Sequence, residues 1–367
     1  MVVFIPSIEE ISKGVKVVAL SRKFLRSASV VLLTGRGSYE DVVEGCACLT
    51  NRMRLRVTSR LHPLQLQAAM DRLGATVDAT TDRDFMLLRT QVPPKRVKES
   101  LKFLAELLTS PNFPASEVAK EKTSQKLEYE KTRQDPILAS ISDAWEATFP
   151  KNPLGHPVTG YPHTIEKLTP KILEEFDTDT RKKALLVIGI VGPQPESELI
   201  HYTNSAFEKI KITPYVEKIK LGANQDFNVF SRPLKVKQTT FSIGMVTAGV
   251  SSSEYSTLLL INDYLGSERR SFGTLFEELR EKRGLTYFAA SRLTALRDCG
   301  LLTSYAGVKP EKVLDALRLM LKTIVKLREK PLPEKEVKQL KVFHRQAMET
   351  MLEIPYQAAT WLATNVF

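Results

Sequence analysis

The apolar positions divide the chain into short strand-like runs and longer helical ones, and they do so twice. GVKVVAL (14–20) and SVVLLTG (29–35) are runs of strand type, and a helix is predicted over Glu40–Met53. GATVDATTDRDFMLLRTQV (74–92) then reads as a strand pair. Val97, Leu101, Leu104 and Leu108 recur at three- and four-residue intervals, which puts them on one stripe of an amphipathic helix, and a second helix follows. ALLVIGIVG (184–192) closes this half as a strongly apolar strand. The second half repeats the order, with a strand FSIGMVTAG (241–249), a helix over Ser252–Leu265, the strand pair LTYFAASRLTALRDCGLLTSYAGV (285–308) and two amphipathic helices.

The repetition extends to individual residues. VPPKRVKESLKFLAELLTSPNFPASEVAKEK, from Val92, matches VKPEKVLDALRLMLKTIVKLREKPLPEKEVKQLK, from Val308. Val92, Val97 and Leu101 pair with Val308, Val313 and Leu317 at an offset of 216; after a three-residue insertion the offset is 219, carrying Phe113, Pro114, Glu117 and Val118 onto Leu332, Pro333, Glu336 and Val337, and Pro136 onto Pro355. Strands followed by runs of helices, with hairpin-like joins, predict an α+β fold of two similar lobes, each an antiparallel sheet covered by helices on one face. The expected lobes are 1–212 and 213–367, joined near Ile212–Arg232, where apolar periodicity fades and charge rises.

A chain of 367 residues exceeds what one core usually organises, in keeping with two lobes. No segment approaches the roughly 20 apolar residues of a membrane span. Three cysteines cannot build a disulfide framework, so a reducing, cytosol-like compartment is expected: bacterial or archaeal cytoplasm, or mitochondria if a presequence has been removed. The net charge of +11 is spread among glutamates along helical runs such as Glu117–Arg133, with no aromatic-interleaved basic stripe, which argues against a nucleic-acid partner.

Familiar catalytic motifs are missing. No two of His62, His156, His163, His201 and His344 lie four apart, as helical zinc ligands would, and no GxSxG elbow, P-loop or GxGxxG follows a strand. Cys46 and Cys48, in EGCACLTNRM (44–53), have no second pair or neighbouring histidine to complete a metal site; two small buried helix residues are the simpler reading.

The repeat, with GRGSYEDVVEGCACLTNRM (35–53) in lobe one and FEELREKRGLTY (276–287) in lobe two, resembles the pitrilysin/insulinase-like metallopeptidases, a family that includes mitochondrial processing peptidase, the core proteins of the respiratory cytochrome bc complex and bacterial and archaeal peptidases. In that family the stretch after the first strand carries G-x-A-H-x-x-E-H-M. Gly45, Ala47 and Met53 match; the ligand and base positions are Cys48, Asn51 and Arg52. Arg52 would repel a metal, and the Asn51 amide cannot act as a base. Glu128 falls at the family's distal ligand position, with Glu121 two helical turns before it; without the histidines both read as solvated or salt-bridged helix residues. No metal is expected in this chain. The resemblance also implies an Arg and a Tyr seven apart in lobe two, here Arg280 and Tyr287, able to hold a substrate carbonyl and to donate a hydrogen bond to the oxyanion of a tetrahedral intermediate. The plainer alternative is a helix end capped by Gly284 and a core tyrosine.

A lost zinc half beside a kept Arg/Tyr half is what the resemblance implies for the non-zinc subunit of a heteromeric metallopeptidase, inactive alone. Zinc is then expected in a homologous partner of a heterodimer, and an extended peptide substrate is expected to add to a sheet edge. The alternative is a structural subunit like the respiratory core proteins. A receptor for basic presequences is disfavoured by the like charge. Lobe one runs on from Pro136 to a final strand at Ala184, whereas lobe two ends twelve residues after Pro355. The second lobe is therefore expected to be incomplete, either because the chain stops short of a natural terminus or because the lobe leans on a partner. IPYQAATWLATNVF (354–367) would make an awkward free tail.

Overall fold

In the computed structural model, which describes residues 6–221, 228–233, 238–270 and 272–367, the chain forms two compact α+β units. One unit comprises 1–129, 157–218 and 351–367; the other comprises 130–156 and 219–350. Residues 222–227, inside the stretch expected to join the lobes, lie outside the described residues.

The first unit is built on six strands, β1 (Ser7–Ser12), β2 (Val15–Ser21), β3 (Ala28–Thr34), β4 (Thr76–Thr81), β5 (Met86–Val92) and β6 (Leu186–Gly192), in the order β1-β2-β6-β3-β5-β4. The pairs are antiparallel except β2 with β6. β1, which the apolar pattern does not reveal, pairs with β2 through a turn at Gly14. Its helices are α1 (Cys46–Met53), α2 (Pro63–Leu73), α3 (Val97–Thr109), α4 (Ala115–Gln134), and, after α5 (Pro136–Thr148) in the other unit, α6 (Pro162–Ile165), α7 (Pro170–Lys182) and α8 (Glu196–Phe207). α1 is shorter than the predicted Glu40–Met53. Asp41 lies outside the helix and accepts hydrogen bonds from the N–H groups of Gly45 (2.7 Å) and Ala47 (2.6 Å), so its carboxylate caps the helix and holds the preceding residues in a turn.

Helices cover both faces of this sheet, not one. Every residue of β3 and β6 is buried, the pattern of strands packed on two sides. Val30, Leu32, Ile188 and Ile190 face Leu101 and Leu104 of α3 and Leu199 and Phe207 of α8. Val31, Leu33, Val187 and Val191 face the opposite way, against Ala358, Ala359, Leu362 and Ala363 of the terminal helix, Pro355–Val366. Residues 354–367, which would have made an awkward free tail, thus cover one face of the first sheet. Burying each such aliphatic side chain contributes about 1.5–3 kcal/mol.

The second unit contains β7 (Thr239–Ala248), β8 (Thr286–Ala295) and β9 (Cys299–Val308), antiparallel in the order β7-β9-β8. Its helices are α5, α9 (Tyr255–Leu265), α10 (Thr274–Phe276), which runs into a π-helical turn at Glu277–Glu281, α11 (Val313–Glu329) and α12 (Glu334–Glu353); the terminal helix is α13. The repeat register holds in three dimensions: α4 and α12 are both 20 residues long and start 219 positions apart, as do α5 and α13. Each of these last two helices covers the sheet of the other repeat, α5 packing on β7, where Ser242 Oγ donates to Ser140 O at 2.7 Å. Among the described residues the second unit has no counterpart of β6 and α8; β7 is an edge strand, and Leu314, Leu321 and Val325 of α11 are exposed. The core of this unit is tied to α12 through the buried Asp263, whose Oδ2 lies 2.7 Å from His344 Nδ1 and whose Oδ1 accepts from Ser267 Oγ at 2.6 Å.

Two outcomes follow from this packing. Gly189 of β6 approaches α13 so closely that a Cβ would fall 2.4 Å from Ala359 O. Gly189→Val should therefore cost about 1–3 kcal/mol and speed hydrogen exchange across 355–366; unchanged protection there would contradict the packing. Burial works to raise the Asp263 pKa, but the bonds from His344 and Ser267 and the charge of Arg269 hold it below the usual value. Its folded pKa lies below the unfolded value of about 3.9, so its stabilisation is complete above that value and lost as pH falls through the folded pKa. Urea unfolding at pH 6 and at pH 3 should show an acid loss in the second unit that Asp263→Asn largely removes.

Candidate functional site

In the first unit the degenerate motif positions come together on α1 and α4. The start of α1 is fixed by Gly45, whose φ of 93° and Cβ position, 2.5 Å from Thr159 O, admit no side chain. Gln125 of α4 donates through Nε2 to Gly45 O (3.1 Å) and Thr159 O (2.7 Å), locking the two helices side by side. Cys46 and Cys48 are buried, unpaired helix residues, as the small-residue pattern suggests.

One turn after Cys48, the guanidinium of Arg52 reaches across to α4. Its Nε and Nη2 lie 2.6 Å from Glu121 Oε1, and its Nη1 pairs with Glu128 Oε2. A second arginine missed in the sequence reading, Arg56, joins from one turn further on, 3.0 Å from Glu117 Oε2 and 3.6 Å from Glu121 Oε2. The four-residue spacing of Arg52 and Arg56 against the glutamates of α4 is the signal that could have revealed it. Burial works to lower the Arg52 pKa, but Glu121 foremost, then Cys48 and Glu128, raise it above its ordinary value. The Cys48 thiol is pushed far up by burial and by the nearby Glu128 carboxylate. It is a neutral thiol, neither a nucleophile nor a metal ligand as it stands.

Asn51 is fully buried and serves the fold. Its Nδ2 faces Thr80 O (2.9 Å), Thr81 Oγ1 (3.3 Å) and Leu87 O (3.1 Å), fastening α1 to β4 and β5. Behind it, Arg54 and Asp177 form an ion pair at 2.9 Å with both side chains wholly buried, joining α1 to α7. Among the described residues no group of three or more His, Cys, Asp and Glu side chains is arranged to hold a metal. The residues that a zinc site would need are a protonated thiol, an amide engaged by backbone carbonyls, a cation and two carboxylates already paired. They do not fit a metal ion.

Arg280 and Tyr287 lie in the second unit. Arg280 sits on the π-helical turn, its guanidinium 4.7 Å from the Phe276 ring centroid and 3.9 Å from the Glu281 carboxylate, the nearest among the described residues. Gly284, at φ 60°, ends this helix as an αL cap; its N–H donates to Arg280 O (2.8 Å), and that of Leu285 donates to Leu279 O (2.8 Å). Tyr287, by contrast, is no core residue. A bulge between Thr286 and Phe288, held by Thr286 Oγ1 donating to Gly307 O at 2.5 Å, turns it outward, 70% exposed, and among the described residues its hydroxyl has no partner.

Comparison with known proteins agrees with this architecture. The model for insulinase (peptidase family M16) matches residues 16–161, and that for the peptidase M16 inactive domain matches 167–342. An uncharacterized zinc protease of Streptomyces coelicolor is 24% identical over 318 residues, covering 83% of this chain and 68% of that protein. The β subunit of the mitochondrial processing peptidase of Dictyostelium discoideum is 23% identical over 332 residues, 86% of this chain and 70% of its own length. The crystal structure of a peptidase M16 inactive domain from Pseudomonas fluorescens shares the fold, with a TM-score of 0.87 and 22% identity over 98% of this chain and 86% of that one.

The burial of Cys46, Cys48 and Cys299 has a direct consequence for thiol chemistry. In the native protein a disulfide reagent such as DTNB should titrate none of the three at neutral pH, and all three after unfolding. A Cys48 that reacts at the rate of a free thiol would contradict the neutral, enclosed state.

Proposed function

The chain belongs to the insulinase family of peptidases, family M16, and from that premise we propose that it is a non-zinc subunit of a heteromeric metallopeptidase, lending Arg280 and Tyr287 to a site whose metal a homologous partner holds. The observation that carries this reading is the contrast between the two candidate sites. Arg52 closes the first with ion pairs to Glu121 and Glu128. Among the described residues, the exposed Tyr287 of the second has no partner for its hydroxyl, and Arg280 has no carboxylate closer than 3.9 Å.

The chemistry available to these side chains suits peptide hydrolysis. An extended peptide adding to a sheet edge has its carbonyl oxygens aligned and its register set by main-chain hydrogen bonds. The Arg280 guanidinium can fork onto such a carbonyl, and its stacking on Phe276 limits the conformations it must give up to do so. The Tyr287 phenol can donate to an oxygen that gains negative charge as the carbonyl becomes tetrahedral, an interaction worth more in the transition state than in the ground state. Zinc in the partner would polarise the scissile carbonyl and supply the attacking water. The relative from D. discoideum is itself named as one subunit of a peptidase, which supports looking for a second chain.

The test is reconstitution with the zinc-bearing chain that copurifies with this one. The isolated chain should not cleave peptides. In the complex, Tyr287→Phe should lower kcat by about 10²–10³, and Arg280→Ala should lower kcat/KM, with assembly unaffected. Chelator-sensitive cleavage by the isolated chain, or full turnover by the doubly substituted complex, would overturn the assignment; the second result would favour a scaffold role.

A further inference from the structure

We propose that the first unit carries a binding site for a small amphipathic carboxylate, in a cavity of about 360 Å³ between the end of β3, the start of β6 and the last turns of α3 and α7. Leu108, Leu186 and Ile212 wall it, Thr34 opens onto it, and the half-buried Arg181 with the exposed Lys209 and Lys211 line its rim. Among the described residues no carboxylate lines the cavity. None of these residues belongs to either candidate site described above.

Thr34 is the feature that the fold does not explain. Along β3 it follows Val30 and Leu32 on the face that packs against α3 and α8, and it is only 3% exposed. Burying a hydroxyl without a hydrogen bond is unfavourable. The other two threonines of the lining are satisfied by their own helices, Thr109 Oγ1 donating to Ala105 O and Thr180 Oγ1 to Phe176 O, each at 2.7 Å. The Thr34 hydroxyl has no partner among the described residues. The repeat shows that a polar residue is not needed here. Thr34 pairs with Met86 of β5, and 216 positions further on Leu302 of β9 pairs with Met245, an apolar residue packed on the second core.

The charge at the rim exceeds what the surrounding structure uses. α3, α7 and α8 end close by, and the carbonyl ends of helices draw cations. Arg181 answers that need, donating through Nη1 to Thr109 O at 3.4 Å and through Nε to Asp177 Oδ2 at 2.7 Å. Lys209 and Lys211 make no ion pair among the described residues. An anionic group therefore meets two free ammonium groups at the rim and a hydroxyl donor within. The apolar walls select an anion that brings an apolar body, since a small hydrated anion gains nothing from them. The volume lies toward the lower end of ligand cavities.

Isothermal titration calorimetry of the full chain with octanoate tests this, with acetate supplying the charge without the body and octylammonium the body with the opposite charge. Octanoate should bind at one site per chain, and both controls should bind at least about 10-fold more weakly. Lys209→Glu with Lys211→Glu should weaken octanoate about 10-fold. Thr34→Val, which removes the hydroxyl and keeps the shape, should weaken it about 5-fold while the free variant melts no lower than the unaltered chain. Cooperative thermal transitions confirm that the variants fold. The proposal is overturned if octanoate does not bind, if acetate or octylammonium binds equally well, or if either folded variant binds octanoate as tightly as the unaltered chain.

Discussion

The ion pairs that Arg52 makes with Glu121 and Glu128 decide what the first unit can do. α1 carries the positions at which this family places its zinc ligands and base, and α4 carries the distal ligand. A guanidinium between the two helices satisfies the carboxylates, keeps the Cys48 thiol beside a cation, and excludes a second positive charge. Asn51 and Arg54 tie α1 into the fold, the first by fastening the helix to β4 and β5, the second by its buried pair with Asp177. Breaking that buried pair by removing one partner typically costs about 3–5 kcal/mol, so the end of α1 is held firmly to α7.

The exchange of α5 and α13 gives the internal repeat a physical consequence. Each helix begins with a proline at equivalent positions and packs on the sheet of the other repeat. Small residues make this possible: Ala358, Ala359 and Ala363 of α13 lie against β3 and β6, and Gly189 and Gly244 let the helices approach the strands. Neither sheet is complete without a helix from the opposite half of the chain. Folding of the two units is therefore expected to be coupled through these segments, even though each has its own core.

Much of this was legible in the sequence. The offsets of 216 and 219 anticipated the pairing of β5 with β9 as equivalent strands and of α4 with α12 as equivalent helices, because register in a repeat survives wherever both copies face the same neighbours. The α+β class followed from the order of strands and helices. Less accessible were the cover on both faces of the first sheet and the place of residues 354–367. The all-apolar β6 carried that information, since a strand that reads LVIGIVG cannot leave either face in water, but it does not say which helix supplies the second cover. At the site, it was plain from residue chemistry that Cys48, Asn51 and Arg52 are not the histidine and glutamate types the family motif has at those positions. The bridging geometry of Arg52, the contribution of Arg56, and the outward turn of Tyr287 depend on how helices and a bulged strand meet in space, which no linear spacing encodes.

Zinc-edge anomalous diffraction from crystals of this chain with the homologous partner proposed for it measures directly whether chemistry and metal lie in separate chains. The predicted map has a zinc peak in the partner and none between α1 and α4 of this chain, where the Arg52 guanidinium should be seen bridging Glu121 and Glu128. A peak coordinated by Cys48, Glu121 or Glu128, with Arg52 swung away, would contradict it.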